Sequence, residues 1–130
     1  MECLEFGVLK VRNMENKEFG KRLEERTKAF AIRIIKLSTD LPGSVEGKII
    51  RNQLTKSGTS IGANYREANR GRSKADFKNK IKICESETNE TCYWLEIVRD
   101  MKWTELQPVE SSLNESNELL AIFTPIGKNL

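Results

Sequence analysis

Four segments of this sequence carry apolar residues at spacings of three and four positions, the pattern of a helix that buries one face. These segments run from about Asn16 to Thr39, Ser44 to Arg70, Ser73 to Lys102, and Pro108 to Ile126. The positions predicted to form the stripes are Phe19, Leu23, Phe30, Ala31, Ile34, Ile35, Leu37, Ile49, Ile50, Leu54, Ile61, Tyr65, Ala68, Phe77, Ile81, Cys84, Thr88, Thr91, Leu95, Val98, Met101, Val109, Leu113, Ser116, Leu119, Leu120, Phe123 and Ile126. No segment alternates as a strand would.

Short turn signals separate the four segments. Pro42 and Gly43 end the first helix, Ser44 can cap the second, and Gly71 follows the second before the Ser73-x-x-Asp76 capping box of the third. A loop from Trp103 to Gln107 precedes Pro108, which suits the first position of the fourth helix, and Gly127 would end it. Four amphipathic helices with short connections predict an all-α, antiparallel up-down-up-down four-helix bundle.

We expect this bundle to occupy residues 16–130 as one domain, because 130 residues are typical of a single folded unit. Residues 1–15 are interpreted as an N-terminal extension that is either non-native or poorly ordered, with Met14 as a candidate natural start. The extension leaves Cys3 and Phe6 without a predicted role.

The middle of the second helix, residues 57–64, is rich in small residues. Two interior glycines, Gly58 and Gly62, cost about 1 kcal/mol each relative to alanine. Either the helix breaks at Gly58, or a neighbouring helix packs closely enough to recover the loss. We favour close packing.

Histidine is absent from the sequence, which excludes Ser-His-Asp and Cys-His nucleophilic sites and the histidine-containing zinc and di-iron patterns. Ser57 and Ser60 have no base to activate them as nucleophiles. We therefore expect no enzyme activity, no catalytic residues, no metal or other cofactor and no small-molecule substrate.

The cysteines and the hydropathy pattern indicate a cytoplasmic protein. Cys84 and Cys92 lie about 12 Å apart along one helix, too far for a disulfide, so we expect reduced thiols with Cys84 buried. No stretch resembles a signal peptide or approaches the ~18 apolar residues that span a membrane, so no membrane partner is expected.

Charge is unevenly distributed along the chain. Residues 1–82 hold 19 Lys/Arg against 10 Asp/Glu, whereas residues 83–130 hold 3 against 9. This polarity suits either binding of nucleic acid or association of identical subunits. Around the turn between helices two and three lie Arg66, Arg70, Arg72, Lys74, Lys78, Lys80 and Lys82. This run is either a phosphate-binding surface or a solubilising helix face.

A second set of polar residues lies at or beside the apolar stripes. It comprises Arg51, Asn64, Glu67 and Glu85. We expect a Lys or Arg to pair with Glu67 or Glu85 between neighbouring helices or subunits, because a buried charge is costly unless paired. An all-carboxylate metal site is the rival interpretation. Tyr93, Trp94 and Trp103 are expected to pack in the core or at an interface, with a ligand pocket as the alternative.

Several of these residues form a recognisable pattern. Residues 51–67 read R-x-Q-L-x-x-S-x-x-S-I-x-A-N-x-x-E, residues 70–77 read R-x-x-S-x-x-D-F, and residues 87–95 read E-T-x-x-T-x-Y-W-L. The pattern resembles the bacterial four-helix-bundle family of 23S rRNA intervening-sequence proteins, over about Asn16 to Phe123. Ala68 stands where the family usually has glycine, and residues 1–13 have no recognised counterpart.

The resemblance implies an up-down bundle that assembles into a ring-like homo-oligomer, often a pentamer, and no established enzymatic activity. The wider group includes the basic accessory protein of diversity-generating retroelements. The resemblance and the small-residue stripe together make Ser57, Ser60, Ile61, Asn64, Glu67 and Glu85 candidate packing or oligomer-interface residues. The candidate nucleic-acid-binding residues are Arg66, Arg70, Arg72, Lys74, Lys78 and Lys82. The partners expected are other copies of the chain and RNA, DNA or a ribonucleoprotein; a protein-binding scaffold is the alternative.

Overall fold

Four α-helices account for nearly all of the computed structural model, which describes the backbone of residues 2–129 and the side chains of residues 16–129. The helices are α1 (Glu2–Ser38), α2 (Val45–Asn69), α3 (Lys74–Met101) and α4 (Leu106–Lys128). No strand occurs within residues 2–129, so the predicted all-α class is confirmed. Consecutive helices pack against each other and α1 also meets α4, which is consistent with the up-down order.

The predicted helix ends are largely confirmed. Ser44 caps α2 by accepting a hydrogen bond from the Gly47 N–H at 3.1 Å, and Ser73 caps α3 by accepting one from the Asp76 N–H at 3.1 Å. Each cap satisfies a first-turn donor that has no partner within the helix. The two caps fix the short turns on either side of α2.

Three ends differ from the expectation, and one of them is the end of α4, because Gly127 lies inside this helix, which runs to Lys128. α4 begins at Leu106, so Pro108 occupies the third helical position instead of the first, which is tolerated because first-turn N–H groups have no intrahelical acceptor. α1 extends upstream of Asn16 to Glu2. The prediction that residues 1–15 are non-native or poorly ordered concerns a segment whose side chains lie outside the described residues, and it stays a prediction.

The core follows the predicted stripes except at their edges. Phe19, Ile35, Ile49 and Met101 were predicted to be buried but are exposed, Phe19 by 49% and Ile35 by 45%. Thr27, between the predicted stripe positions of α1, is fully buried instead, and its hydroxyl donates to the Leu23 carbonyl oxygen at 2.9 Å. A stripe read from sequence is wider than the face that one neighbouring helix can cover, so its edge positions stay in solvent.

Close packing at the glycines of α2 is confirmed, and α2 runs unbroken through Gly58. A Cβ atom on Gly58 would lie 2.8 Å from Cγ2 of Ile34 on α1, and one on Gly62 would lie 3.1 Å from the Thr27 hydroxyl oxygen. Only a residue without a side chain lets α1 approach this closely. The helix-propensity cost of the glycines is therefore offset by packing.

Small hydroxyl and thiol groups join α3 to its two neighbours. The hydroxyl oxygens of Thr91 and Ser57 lie 2.9 Å apart, and the Cys92 sulfur lies 3.0 Å from the Ser116 hydroxyl oxygen. Cys84 is fully buried as predicted, and burial raises its thiol pKa to about 12. Cys84 and Cys92 are both free thiols, in separate environments.

One ion cluster connects α1 to α4, the two neighbouring helices that share the smallest interface. Arg26 donates two hydrogen bonds to the Glu115 carboxylate, at 2.8 and 2.6 Å, and also pairs with Glu118. The hydrogen bonds from Arg26 hold the pKa of the Glu115 carboxyl below its usual value, although partial burial opposes this shift. We call this cluster of Arg26, Glu115 and Glu118 the clasp. Arg26 and Glu115 are 89 positions apart in the sequence.

We expect Glu115→Gln to destabilise the fold by about 1 kcal/mol at neutral pH, because it breaks a bidentate, partly buried pair. Since the folded-state pKa of Glu115 is lowered, this stabilisation is present above the ordinary carboxyl pKa of 4.5 and is lost as the pH falls through the lowered value. Urea titrations at several pH values measure the difference from the wild type. Glu18→Gln is the matched control, because Glu18 pairs with Arg22 on the exposed surface of α1. Equal effects of both variants at neutral pH would contradict the special role of the clasp.

Candidate nucleic-acid interface

Arg66 and Arg70 project from the exposed side of α2 that faces α1. The Arg66 Nε lies 3.6 Å from a carboxylate oxygen of Glu24 on α1. Both arginines line a groove of about 710 Å³ between the two helices, and Lys28 lines its opposite wall. The two predicted residues therefore share one surface with a cation from another helix.

The groove continues toward the α2–α3 turn along α1. Lys17 and Lys21 line a neighbouring depression of about 410 Å³ together with Asn69, and Glu24 borders both cavities. We call the combined surface the basic groove. Its cations are Lys17, Lys21, Lys28, Arg66 and Arg70, and its anions are Glu24 and Glu67. The lining carries a formal charge of +3 from these seven residues.

Glu67 also forms an ion pair with Lys80, which reduces the effect of its negative charge on the groove. The Lys80 Nζ lies 2.6 Å from a Glu67 carboxylate oxygen, which joins α3 to α2. Glu67 therefore pairs with a basic residue on a neighbouring helix, but the Glu67 side chain is exposed and not buried as the prediction assumed. Because Lys80 is paired with Glu67 and does not line the groove, it partly offsets the negative charge that Glu67 brings to the groove.

The other candidate cations lie around the same end of the bundle but face different sides. Arg72 lies in the turn and Lys74 opens α3, and both are exposed. Lys78 and Lys82 lie seven and three positions before Glu85, whose carboxylate accepts a hydrogen bond from Thr124 of α4 at 3.3 Å. Helical spacing therefore places Lys78 and Lys82 on the α4 side of α3, away from the basic groove.

The candidate packing or interface residues on α2 divide into a buried pair and an accessible set. Ser57 and Ile61 are buried within the chain, so they pack its own core. Asn64 donates to the carbonyl and hydroxyl oxygens of Ser60, at 2.9 and 2.8 Å, and both of these residues are partly exposed. Ser60, Asn64 and Glu67 thus remain accessible for contact with another molecule.

Arg51 and the aromatic residues have local structural roles. Arg51 donates to the Leu41 carbonyl oxygen at 2.7 Å and so ties α2 to the α1–α2 turn. Trp94 and Trp103 are partly buried against the core, as expected for packing. Tyr93 is exposed, and its ring centroid lies 5.1 Å from that of Trp94.

The described residues contain no group of three or more acidic or thiol side chains arranged to hold a metal ion. Within the same part of the chain, no helix has both the length and the apolar character needed to cross a membrane.

Lys17, Lys21 and Lys28 were missing from the sequence-based candidates. Their spacing of four and seven positions places them on one side of α1, and that periodicity was visible in the sequence. The sequence did not show that this side of α1 faces Arg66 and Arg70. Residues 17 and 70 are brought together only by the packing of α1 on α2.

The geometry is that of a small four-helix-bundle protein with a basic groove between its first two helices. A family model described as 23S rRNA-intervening sequence protein matches residues 22–124. The chain belongs to this family, and the resemblance inferred from its motifs is confirmed.

A solved structure supports the same assignment. The chain is similar to a protein of unknown function from the S23 ribosomal protein family of Bacteroides thetaiotaomicron VPI-5482, with 38% sequence identity and a TM-score of 0.74. The match covers 81% of this chain and 97% of the other. Among curated proteins, no sequence matches this chain.

Proposed function

We propose that this protein is a non-catalytic, homo-oligomeric helical scaffold that binds nucleic acid through the basic surface around the α2–α3 turn. The basic groove and the exposed Arg72 and Lys74 beside it form the contact surface. The ligand is structured RNA or DNA, or a ribonucleoprotein that presents such a strand.

The observation that carries this proposal is the alignment of cations from two helices along one groove. Lys17 and Lys28 are eleven positions apart, or about 16 Å at the helical rise of 1.5 Å per residue. That length corresponds to about five phosphates along one strand of a duplex, whose nucleotides are spaced about 3.4 Å apart along the helix axis. Arg66 and Arg70 face this row from α2. Neutralising several phosphates on one surface releases their condensed counterions, which favours binding.

The groove suits a nucleic-acid backbone better than unstacked bases. Among residues 16–129, no aromatic side chain lines either of its two cavities. Aromatic platforms are the usual means of binding single strands, because bases stack on them. Contacts to phosphates carry no sequence information, so we expect binding with little sequence preference.

The experiment compares three triple variants in which each positive residue becomes Gln. The groove variant changes Lys21, Lys28 and Arg66; the turn variant changes Arg70, Arg72 and Lys74. The control variant changes Lys36, Lys48 and Lys102, exposed cations toward the opposite end of the bundle. All three remove the same charge.

Binding to an RNA hairpin and to duplex DNA is measured by fluorescence anisotropy over a range of salt concentrations. We expect the groove and turn variants to weaken binding about equally for different sequences. The slope of log K against log salt should flatten by about 0.7–0.9 for each phosphate that the variant no longer neutralises. The control should keep the wild-type slope. Wild-type affinity and slope in both the groove and turn variants would contradict the proposal.

Homo-oligomerisation rests on a different property, the opposite net charges of residues 1–82 and 83–130. Basic and acidic surfaces of identical subunits attract one another, which favours a closed ring. We expect light scattering to show a multiple of 14.9 kDa. A monomer alone at micromolar concentration would contradict this part of the proposal.

A protein-binding scaffold without a nucleic-acid role is the second candidate. It is favoured by large apolar side chains exposed on α1 and α2, namely Ile32, Ile35, Val45 and Ile49. Apolar contacts do not weaken as salt rises, so a binding partner held at high salt would support this alternative.

A further inference from the structure

Gly20 of α1 lies at the floor of the smaller of the two cavities in the basic groove. This cavity has a volume of about 410 Å³, and its lining residues are Asn16, Lys17, Gly20, Lys21, Glu24 and Asn69. Gly20 is buried, whereas Lys17, Lys21 and Asn69 around it are exposed. A ligand in the cavity therefore meets these exposed side chains above a floor that carries no side chain of its own.

The packing of α1 on α2 does not require glycine at position 20. A Cβ atom there would lie 3.4 Å from Nδ2 of Asn69 and 3.7 Å from the Tyr65 hydroxyl oxygen, which are ordinary contact distances. At Gly62, by contrast, a Cβ atom would lie within 3.1 Å of the Thr27 hydroxyl oxygen. Glycine is a poorer helix former than alanine, so Gly20 has a cost that packing does not explain. The missing Cβ atom instead leaves the Asn69 amide uncovered.

The Asn69 amide is held in place at the wall of this cavity. Burial raises the pKa of the Tyr65 hydroxyl, and a hydrogen bond with the Asn69 side chain opposes that rise. A partner that favours the ionised phenol donates to its oxygen, so the amide uses one N–H on Tyr65. Because an asparagine side chain has two N–H donors, the second can donate to an acceptor in the cavity.

Two cations stand beside this amide. Lys17 and Lys21 are four positions apart, which places both ammonium groups on one face of α1. The only acidic residue in the described lining is Glu24, and its carboxylate oxygen lies 3.6 Å from Nε of Arg66. Two ammonium groups and a neutral N–H donor suit an anion with several acceptor oxygens, and lysine is a common phosphate-binding residue.

We propose that this cavity, with Gly20 at its floor, is a seat for a single phosphate group. The phosphate oxygens pair with the ammonium groups of Lys17 and Lys21 and accept a hydrogen bond from the Asn69 amide. The absent side chain at position 20 leaves room for the phosphate to approach that amide. The source of the group rests on the proposed nucleic-acid function, because it is a backbone phosphate of the bound strand. A free phosphate ion presents the same chemistry.

Gly20→Ala tests the seat, because one added methyl group would cover the Asn69 amide at an ordinary contact distance. We expect its unfolding temperature to be unchanged or raised, since alanine is the better helix former. RNA-hairpin binding should weaken about fivefold, on the scale of one charge-assisted hydrogen bond. A purely structural glycine would give the opposite result, a lower unfolding temperature with wild-type affinity.

Gly127→Ala is the matched control. Its Cβ atom would lie 3.5 Å from a Glu85 carboxylate oxygen, which is a similar contact outside the basic groove. We expect this variant to bind the RNA hairpin as the wild type does.

Titration with inorganic phosphate separates the seat from the nucleic-acid function. NMR spectra of the side-chain amides are compared in phosphate and in sodium chloride of equal ionic strength. We expect phosphate alone to shift the Asn69 signals in the wild type, and to shift them less in Gly20→Ala.

Each outcome bears on one of the two proposals. Wild-type RNA affinity in Gly20→Ala would overturn the seat and leave the proposed function standing. The absence of a phosphate-specific shift at Asn69 would also overturn the seat. Phosphate-specific shifts in a protein that binds no RNA would contradict the proposed function and support the seat, with a free phosphate ion as its ligand.

Discussion

Replacing Phe123 by alanine is expected to lower the free energy of unfolding by about 3–5 kcal/mol, the cost of truncating a large aromatic side chain in a closed core. Phe123 on α4 is fully buried, and its ring centroid lies 5.7 Å from that of Tyr65 on α2. Its side chain thus joins two helices that are not consecutive in the chain. Alanine would leave a cavity that the surrounding helices can fill only partly.

Phe19→Ala is the matched control, since it removes the same atoms from a side chain that is 49% exposed. We expect this variant to cost less than about 1 kcal/mol, as substitutions on the surface usually do. Urea denaturation of both variants gives the comparison. A loss in Phe123→Ala no larger than that in Phe19→Ala would show that the core is not centred as the structure places it.

Replacing Gly58 by leucine is expected to destabilise the protein by about 2–3 kcal/mol, even though leucine is the better helix former. The new side chain would begin 2.8 Å from Cγ2 of Ile34, which is itself fully buried. Backbone and side chains of α1 would have to move apart from α2. The preference of leucine for the helical conformation, about 1 kcal/mol, does not offset this overpacking.

Gly43→Leu provides the control, because a Cβ atom on Gly43 meets nothing within 4 Å. A second variant, Gly58→Leu with Ile34→Ala, exchanges the large and small residues across the contact. If the clash with Ile34 is the cause, the double variant should be less destabilised than the sum of the single changes. Additive losses would argue that Gly58 has another role.

Local patterns in the sequence were sufficient for the four helices and for the caps that begin α2 and α3. The caps at Ser44 and Ser73 act on an N–H group only three residues away, so they can be recognised without knowing the fold. Helical periodicity likewise placed Leu54, Ile81 and Leu95 in the core. Family membership followed from residues 51–95, where the motif is dense.

The edges of the helix faces could not be decided in the same way. Phe19 and Thr27 both lie near the apolar stripe of α1, yet the phenylalanine is exposed and the threonine is buried. The close approach of α1 to Gly62 leaves room for only a small side chain at position 27. The Thr27 hydroxyl is hydrogen-bonded within its own helix, because it donates to the Leu23 carbonyl oxygen. Hydrophobicity alone would predict that Phe19 is buried and Thr27 is exposed.

Patterns within single segments of the chain are enough to predict an all-helical bundle and a surplus of positive charge around the α2–α3 turn. Packing of the helices places Lys28 across a groove from Arg66, brings Glu85 of α3 against Thr124 of α4, and joins Arg26 to Glu115. The two kinds of feature differ in the distance along the chain over which the interactions that determine them act. Helix formation and capping depend on neighbours within one or two turns, whereas the charges that meet at a surface depend on how each helix is rotated against the next.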